Sequence, residues 1–138
     1  MGQHHRKLDE HKATKLSKKR ILFVDDDTDT IAVIKMGLSR HGFEVEAFVD
    51  SKLALHNFKP GLYDILLLDV LMKGLDGFEL YNKMRKIDEN IRICFTSASN
   101  TFYGKYKNQY PEIQKECFIQ KPFTIKKLAN TIDSILGN

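Results

Sequence analysis

Residues 21–26 read Ile-Leu-Phe-Val-Asp-Asp, a short apolar run that ends in two acids. A second run, residues 65–69, reads Ile-Leu-Leu-Leu-Asp, and a third, Phe118-Ile119, leads to Lys121. Continuous apolar runs of this length are typical of strands that are covered on both faces. Open α/β folds place their sites at the carboxyl ends of such strands, so we expect these acids and the lysine to cluster. Crowded carboxylates repel one another unless a hard divalent cation and an ammonium offset them, and the pattern therefore predicts a metal-dependent phosphoryl site.

Strand and helix patterns alternate from residue 20 onward. Right-handed crossovers place helices on both faces of a parallel sheet. The sequence therefore predicts an α/β fold with a doubly wound, five-stranded parallel sheet and five helices. The predicted strands are 21–24, 43–49, 63–70, 91–96 and 117–120. The predicted helices are one between the Asp27-Thr28-Asp29 caps and the His41-Gly42 stop, then 51–58, 76–87, 101–115 with an interruption at Pro111, and 124–136.

Three of the predicted helices carry apolar residues at helical spacing, which we expect to face the core. They are Ile31, Ile34 and Leu38 with the flanking Val33 in the first helix, Tyr81, Met84 and Ile87 in the third, and Ile125, Leu128, Ile132 and Ile135 in the last.

The length of 138 residues favours one domain with a core large enough to fold alone. We expect a flexible basic arm at residues 1–19 and a folded domain at residues 20–138. Residues 1–20 contain seven Lys and Arg against two acids, a balance of +5, so −1 of the overall +4 remains for residues 21–138. The basic charge belongs to the arm, and it gives no reason to expect nucleic-acid binding by the folded domain.

The sequence shows no sign of export or of a membrane anchor. No apolar stretch approaches the roughly 20 residues of a membrane span, and the charged N-terminus lacks the apolar region of a signal peptide. We therefore expect a cytoplasmic protein. Cys94 and Cys117 lie in strand-like apolar segments and are expected to be reduced core residues. His4, His5 and His11 have no partner ligands at metal-binding spacing and are expected to face solvent.

In order and spacing, several motifs resemble the receiver domain of two-component response regulators, the CheY-like family. They are Val24-Asp25-Asp26, the stretch 69–77 (Asp-Val-Leu-Met-Lys-Gly-Leu-Asp-Gly), Ser97-Ala98 and Lys121-Pro122-Phe123. Each motif is weak alone, but together they follow successive predicted strands over residues 20–137. The resemblance implies the flavodoxin-like strand order 2-1-3-4-5 and a phosphoacceptor at Asp69.

The resemblance also implies a metal site. Asp25, Asp26 and Asp69, with the backbone carbonyl of Leu71, would hold Mg²⁺, for which Mn²⁺ or Ca²⁺ could substitute. Magnesium suits such a site because it keeps several waters and needs only one or two carboxylates. The chemistry stands without the family name: a carboxylate oxygen attacks phosphorus in line while metal and ammonium neutralise the charge on the other oxygens. A small donor or a phosphohistidine can supply the group, and the chain contains no Gly-rich phosphate loop.

Further roles are implied for residues after the fourth and fifth strands. Ser97, Ala98 and Lys121 would bind the phosphoryl group, and the peptide bond before Pro122 would be cis, which the tertiary X-Pro amide allows. Ser97 and Phe118, the aromatic three residues before the lysine, would form a switch that turns inward on phosphorylation. The alternative is that Phe118 is a permanent core residue.

Three features depart from the family pattern or leave it open. Lys73 stands where family members usually have proline, so the loop after Asp69 is less restricted. Thr96 and Ser97 are adjacent hydroxyls on opposite faces of a strand, and the small residue after Ser97 favours Ser97. The segment between Ser97 and Phe118 is longer than in CheY and rich in tyrosine (Tyr103, Tyr106, Tyr110), so the fourth helix is expected to be shifted or irregular.

The resemblance implies a sensor histidine kinase or phosphotransfer protein as donor and a downstream protein at the face of the fourth helix, fifth strand and fifth helix. The chain ends at Asn138, directly after the last predicted helix. We therefore expect a stand-alone response regulator, monomeric or weakly dimeric, that binds neither nucleic acid nor membrane. It would catalyse only its own phosphorylation and dephosphorylation. A receiver-like interaction module that never takes phosphate is the main alternative.

Two other interpretations of the acidic stretch are disfavoured. As a calcium-binding EF-hand loop, it has Thr30 in place of the glycine and Met36 in place of the bidentate glutamate. As a haloacid-dehalogenase-like phosphatase, it has Asp29 at the last position of the required Asp-x-Asp-x-Thr/Val pattern. Neither interpretation explains Asp69.

Overall fold

The computed structural model of the chain describes residues 18–99 and 102–137. The predicted basic arm, apart from Lys18 and Lys19, lies outside the described residues, and so do His4, His5 and His11.

Five parallel strands form one sheet in the order β2-β1-β3-β4-β5, which confirms the predicted doubly wound topology. The two central strands, β1 and β3, are the continuous apolar runs of the sequence, and helices bury them from both sides. The strands are β1 Arg20–Val24, β2 Glu44–Phe48, β3 Ile65–Asp69, β4 Arg92–Ser97 and β5 Phe118–Gln120.

Within the described residues, five α-helices and one turn of 3₁₀-helix lie between the strands or after the last strand. They are α1 Thr28–Arg40, α2 Ser51–Asn57, α3 Gly77–Ile87, α4 Phe102–Tyr106, the 3₁₀ turn Lys115–Cys117 and α5 Ile125–Ile135. Asp27 caps α1 by accepting hydrogen bonds from two backbone N–H groups, and Asp76 forms a capping box with Glu79 at the start of α3. None of the described helices combines the length and apolar character needed to cross a bilayer.

The core lies in two layers, one on each face of the sheet. On one face, Leu66, Phe95 and Phe78 are among the residues that pack β3 and β4 against α3 and the segment after β4. On the other, Phe23 and Leu128 belong to the layer that α1 and α5 cover. Each fully buried side chain of this size contributes about 1.5–3 kcal/mol, so the sheet between the layers is a rigid base for its carboxyl edge.

Two residues that we predicted to face the core are instead exposed. Val33 is 62% exposed and Ile87 is 44% exposed. Val33 precedes Ile34 by one position, which turns it about 100° around the helix axis and away from the buried stripe. Ile87 is the last residue of α3, after which the chain leaves the helix with an extended Asp88. The other predicted core positions of these helices pack into or against the core.

The segment after β4 is irregular, as expected, but it is less helical than the predicted 101–115. Only Phe102–Tyr106 forms an α-helix, and turns lead from it to the 3₁₀ turn. Pro111 has no N–H and disfavours a helical conformation of Tyr110 before it, which limits the helix. Tyr110 is buried and stacks on Phe78 of α3, with the ring centroids 5.6 Å apart, so the segment still packs on the core.

Candidate phosphoryl and metal site

Three carboxylates meet at the carboxyl edge of the sheet. Asp25 and Asp26 follow β1 directly, and Asp69 is the last residue of the neighbouring β3. One oxygen from each carboxylate lies within 4.8 Å of the others. Asp25 is 1% exposed and Asp69 is 8% exposed, whereas Asp26 is exposed to solvent. The structure therefore brings together the three acids that the sequence placed at strand ends.

Lys121 supplies positive charge to this cluster. Its Nζ lies 3.0 Å from Asp25 Oδ2 and 3.5 Å from Asp69 Oδ2. Its backbone N–H donates to the Ser97 carbonyl oxygen at 2.7 Å, which fixes the end of β5 against the end of β4. The peptide bond between Lys121 and Pro122 is cis, as the resemblance implied.

The electrostatics of the edge disfavour an ionised Asp69. Burial, together with the neighbouring carboxylates of Asp25 and Asp26, raises the pKa of Asp69 from its usual 3.8 to about 6, although Lys121 opposes the shift. Burial alone would lower the pKa of Lys121, but its bonds to Asp25 and Asp69 outweigh burial, so the pKa is raised. Lys121 is therefore an ammonium at neutral pH. Additional positive charge at this edge would stabilise ionised Asp69.

The donor set suits a hard divalent cation. The carboxylates of Asp25, Asp26 and Asp69 provide only oxygen atoms, which Mg²⁺ and Ca²⁺ prefer over nitrogen or sulfur. Asp25 Oδ1 accepts the N–H of Asp27 at 3.0 Å, so a local turn orients this buried carboxylate. Leu71, whose carbonyl is the fourth predicted protein ligand, lies two residues after Asp69 in the loop to α3.

Two residues that support this loop were not singled out as site residues by the sequence analysis. Gly77, the first residue of α3, lies so close to the end of β3 that an added Cβ would overlap the carbonyl oxygen of Asp69. Ser51, the first residue of α2, is 1% exposed, and its Oγ bonds to the backbone of Lys73 and Leu75. The glycine in the quoted 69–77 motif was a usable signal for the first contact. A serine after a helix cap gives no signal for the second.

The adjacent hydroxyls of β4 face opposite layers. Thr96 is in register with Asp69 and Ile119, and its buried Oγ1 has no hydrogen-bond partner among the described residues, for which we find no physical reason. Ser97 lies on the other face, and its Oγ accepts the N–H of Ser99 at 3.0 Å. Ala98 is exposed directly beyond it.

Ser97 shares a groove of about 630 Å³ with Phe118 and Tyr103. Phe118 is partly buried. Its ring centroid lies 5.3 Å from that of Phe95 and 5.4 Å from that of Tyr103, whose ring it meets edge to face. Phe95, Ser99 and Thr131 also line this groove, whereas Thr96 does not. The structure thus places Ser97, and not Thr96, in the same groove as Phe118.

Comparisons with known proteins give a matching family model and several related sequences. The family model for the response regulator receiver domain matches residues 21–133. The transcriptional regulatory protein PrrA of Mycobacterium leprae is 31% identical over 123 residues, which are 89% of this chain and 52% of PrrA. The chain thus spans about half the length of this relative. The response regulator receiver protein CpdR of Brucella abortus is 28% identical over 118 residues, which are 86% of this chain and 97% of CpdR.

Solved structures show the same fold. A CheY-like receiver domain protein of Methanospirillum hungatei superposes with a TM-score of 0.75 at 24% identity, covering 88% of this chain and 95% of that one. The non-phosphorylated HemR receiver domain of Leptospira biflexa gives a TM-score of 0.75 at 23% identity, covering 88% and 96%. At these identities, the likeness supports the architecture alone.

Proposed function

Because the chain belongs to the family of response regulator receiver domains, we propose that it accepts a phosphoryl group on Asp69 in a Mg²⁺-dependent reaction. The observation that carries this proposal is the convergence of three carboxylate oxygens within 4.8 Å, with Lys121 Nζ in contact with two of the carboxylates. Receiver domains interact with histidine kinases or phosphotransfer proteins, and we infer a phosphohistidine of such a partner as the donor.

In the reaction, a carboxylate oxygen of Asp69 attacks the phosphorus of the donor, the P–N bond of the phosphohistidine breaks, and the imidazole leaves. Lys121 Nζ, 3.5 Å from Asp69 Oδ2, offsets negative charge on the incoming group. Asp25, Asp26, Asp69 and the Leu71 carbonyl would hold Mg²⁺, or Mn²⁺ or Ca²⁺ in its place, and the cation supplies charge neutralisation at the phosphoryl oxygens. The protein would catalyse only its own phosphorylation and dephosphorylation.

We further propose that phosphorylation changes the surface around Ser97 and Phe118. An inward move of the Ser97 hydroxyl toward the phosphoryl group would free space in the groove that it shares with Phe118 and Tyr103. Phe118 has no hydroxyl that would favour a solvent-facing rotamer, so its inward position is the more favourable one. The downstream partner would bind the changed surface that α4, β5 and α5 form.

Intact mass spectrometry after incubation with Mg²⁺ and acetyl phosphate tests the phosphoacceptor. We expect the wild type and Asp76→Asn to gain the mass of one phosphoryl group and Asp69→Asn to gain none. Asp76→Asn is the matched control, since asparagine caps helices as well as aspartate does. EDTA should abolish the gain. A folded wild type that stays unlabelled with Mg²⁺ bound would contradict the proposal and favour a receiver-like interaction module.

Beryllofluoride, a phosphoryl mimic, tests the switch by NMR. The expected result is a set of chemical-shift changes that extends from Asp69 to β5 and α5. Changes confined to the loop after Asp69 would leave Phe118 as a permanent core residue.

A further inference from the structure

The loop after Asp69 is tied to two other parts of the fold through one residue, Lys73. Its backbone N–H donates to Asp26 Oδ2 at 3.0 Å, across 47 positions of sequence. Its carbonyl oxygen accepts a hydrogen bond from the Ser51 hydroxyl at 3.3 Å, and the same hydroxyl accepts the N–H of Leu75 at 3.0 Å. Ser51 is almost fully buried, so α2 holds the Lys73 carbonyl group, while Asp26 accepts the Lys73 N–H, which belongs to the preceding peptide group.

This arrangement matters because Asp26 is the exposed member of the three carboxylates. An exposed aspartate loses side-chain freedom when it becomes a ligand, and a hydrogen bond that orients it beforehand reduces that cost. The Lys73 N–H uses one of the two Asp26 oxygens. A carboxylate has about four lone-pair sites, so acceptor capacity remains for a cation.

We propose that Lys73 is a positioning residue of the metal site and that its backbone N–H orients the carboxylate of Asp26 toward Asp25 and Asp69, while Ser51 fixes the loop directly after this N–H. The inference rests on the proposed function in that it takes these three carboxylates as the Mg²⁺ ligands. It goes further because it assigns the orientation of the Asp26 carboxylate to a backbone hydrogen-bond donor. Any residue except proline can fill that role, and the exposed ammonium of Lys73 is not needed for it.

Isothermal titration of Mg²⁺ into the wild type and three variants tests the backbone role. Lys73→Ala removes the ammonium and keeps the N–H, so its affinity for Mg²⁺ should equal or slightly exceed that of the wild type. Lys73→Pro removes the N–H and should bind Mg²⁺ about tenfold more weakly, the lower end of the range for loss of a hydrogen bond that orients a metal ligand. Ser51→Ala should weaken binding by a smaller factor, because the N–H remains but the loop that carries it is less fixed.

Hydrogen exchange by NMR tests the same contact without metal and without proline. The Lys73 amide should be protected in the metal-free wild type and should lose that protection in Asp26→Ala. The Leu75 amide should lose its own protection in Ser51→Ala.

Four results would each overturn the inference. They are equal Mg²⁺ affinity of the wild type and a folded Lys73→Pro, an equal loss of affinity in Lys73→Ala and Lys73→Pro, an unprotected Lys73 amide in the wild type, and a wild type that binds no Mg²⁺. Acetyl phosphate labelling separates this inference from the proposed function. A labelled Asp69 with equal affinities across the series refutes the inference alone, and the expected affinities with no labelling refute the phosphoacceptor role alone.

Discussion

Replacing Asp69 by asparagine should stabilise the metal-free protein at pH 8, because ionised Asp69 lies where burial and two neighbouring carboxylates disfavour its charge. These effects raise its pKa from 3.8 to about 6 despite Lys121. One pKa unit corresponds to about 1.4 kcal/mol, so the full shift of about two units costs about 3 kcal/mol when the group is ionised. This net shift already includes the attraction to Lys121. Asparagine removes the cost of the charge but still buries a polar amide at the site, so we expect a gain of about 1–2 kcal/mol in the free energy of unfolding.

The pH dependence has a definite sign. The folded-state pKa of Asp69 is raised above its usual value, so between about pH 3.8 and pH 6 the folded protein binds more protons than the unfolded chain. The free energy of unfolding of the wild type should therefore fall through this window as the pH rises, relative to Asp69→Asn. Near pH 4 the carboxyl is largely protonated in the folded state, and the advantage of the Asp69→Asn variant should be small.

Urea unfolding followed by circular dichroism measures the effect at pH 4.5 and pH 8 in EDTA, with Asp76→Asn as the control. At pH 8, added Mg²⁺ should raise the stability of the wild type more than that of Asp69→Asn, since a ligand of the folded state stabilises it in proportion to its affinity. Equal or lower stability of Asp69→Asn at pH 8 in EDTA would refute the reasoning. So would an advantage of the same size at both pH values.

Three other substitutions, with Gly104→Ala as the control for the first, test the contacts around the site by urea unfolding. Gly77→Ala should lower the free energy of unfolding by about 2 kcal/mol or more, because its Cβ would overlap backbone at the end of β3. Gly104→Ala, whose Cβ would meet no atom within 4 Å, should be neutral or stabilising; similar effects at both sites would contradict this contact. Lys121→Met leaves two carboxylates without their ammonium and should cost about 2 kcal/mol at pH 8 in EDTA, with partial recovery in Mg²⁺; an unchanged stability would mean that the charge is already screened. Tyr110→Phe removes the acceptor of the 2.7 Å bond from Asn82 and should cost about 1 kcal/mol, and an equal urea midpoint would show that the bond contributes nothing.

The sheet and the charged side chains at its edge were predictable from the sequence. A strand buried on both faces must be apolar along its length, so the first charged residue after it marks where it leaves the core. Asp25 was found by this rule, and so was Asp69, which the structure assigns to the last position of its strand. Lys121 follows the short edge strand β5, whose apolar pair Phe118-Ile119 gave a weaker form of the same signal. Parallel strands then bring the marked positions to one edge, whatever the details of the connecting helices.

The path of the chain after β4 was predictable only in part. The sequence indicated an irregular fourth helix with an interruption at Pro111, and the structure has a helix of five residues, Phe102–Tyr106, followed by turns. Tyr106 and Tyr110 pack their rings on Phe78, with centroids 4.0 Å and 5.6 Å away. Residues four positions apart share a face of a regular helix as well, so these contacts do not by themselves select turns. Pro111, which disfavours a helical Tyr110, is the local signal that limits the helix.

The hydrogen bond from Lys73 to Asp26 was not predictable from the sequence, for a different reason. Its partner is a backbone N–H, which every residue except proline possesses, so the identity of Lys73 as a lysine says nothing about the bond. If only side chains are considered, the absence of proline at position 73 makes the loop backbone less rigid. In the fold, a residue other than proline also supplies a backbone N–H donor to the Asp26 carboxylate. The buried Ser51 of α2 holds the same loop by its bonds to Lys73 and Leu75. A substitution at 73 should therefore be judged by what it does to the peptide group, and among the twenty residues only proline changes that group.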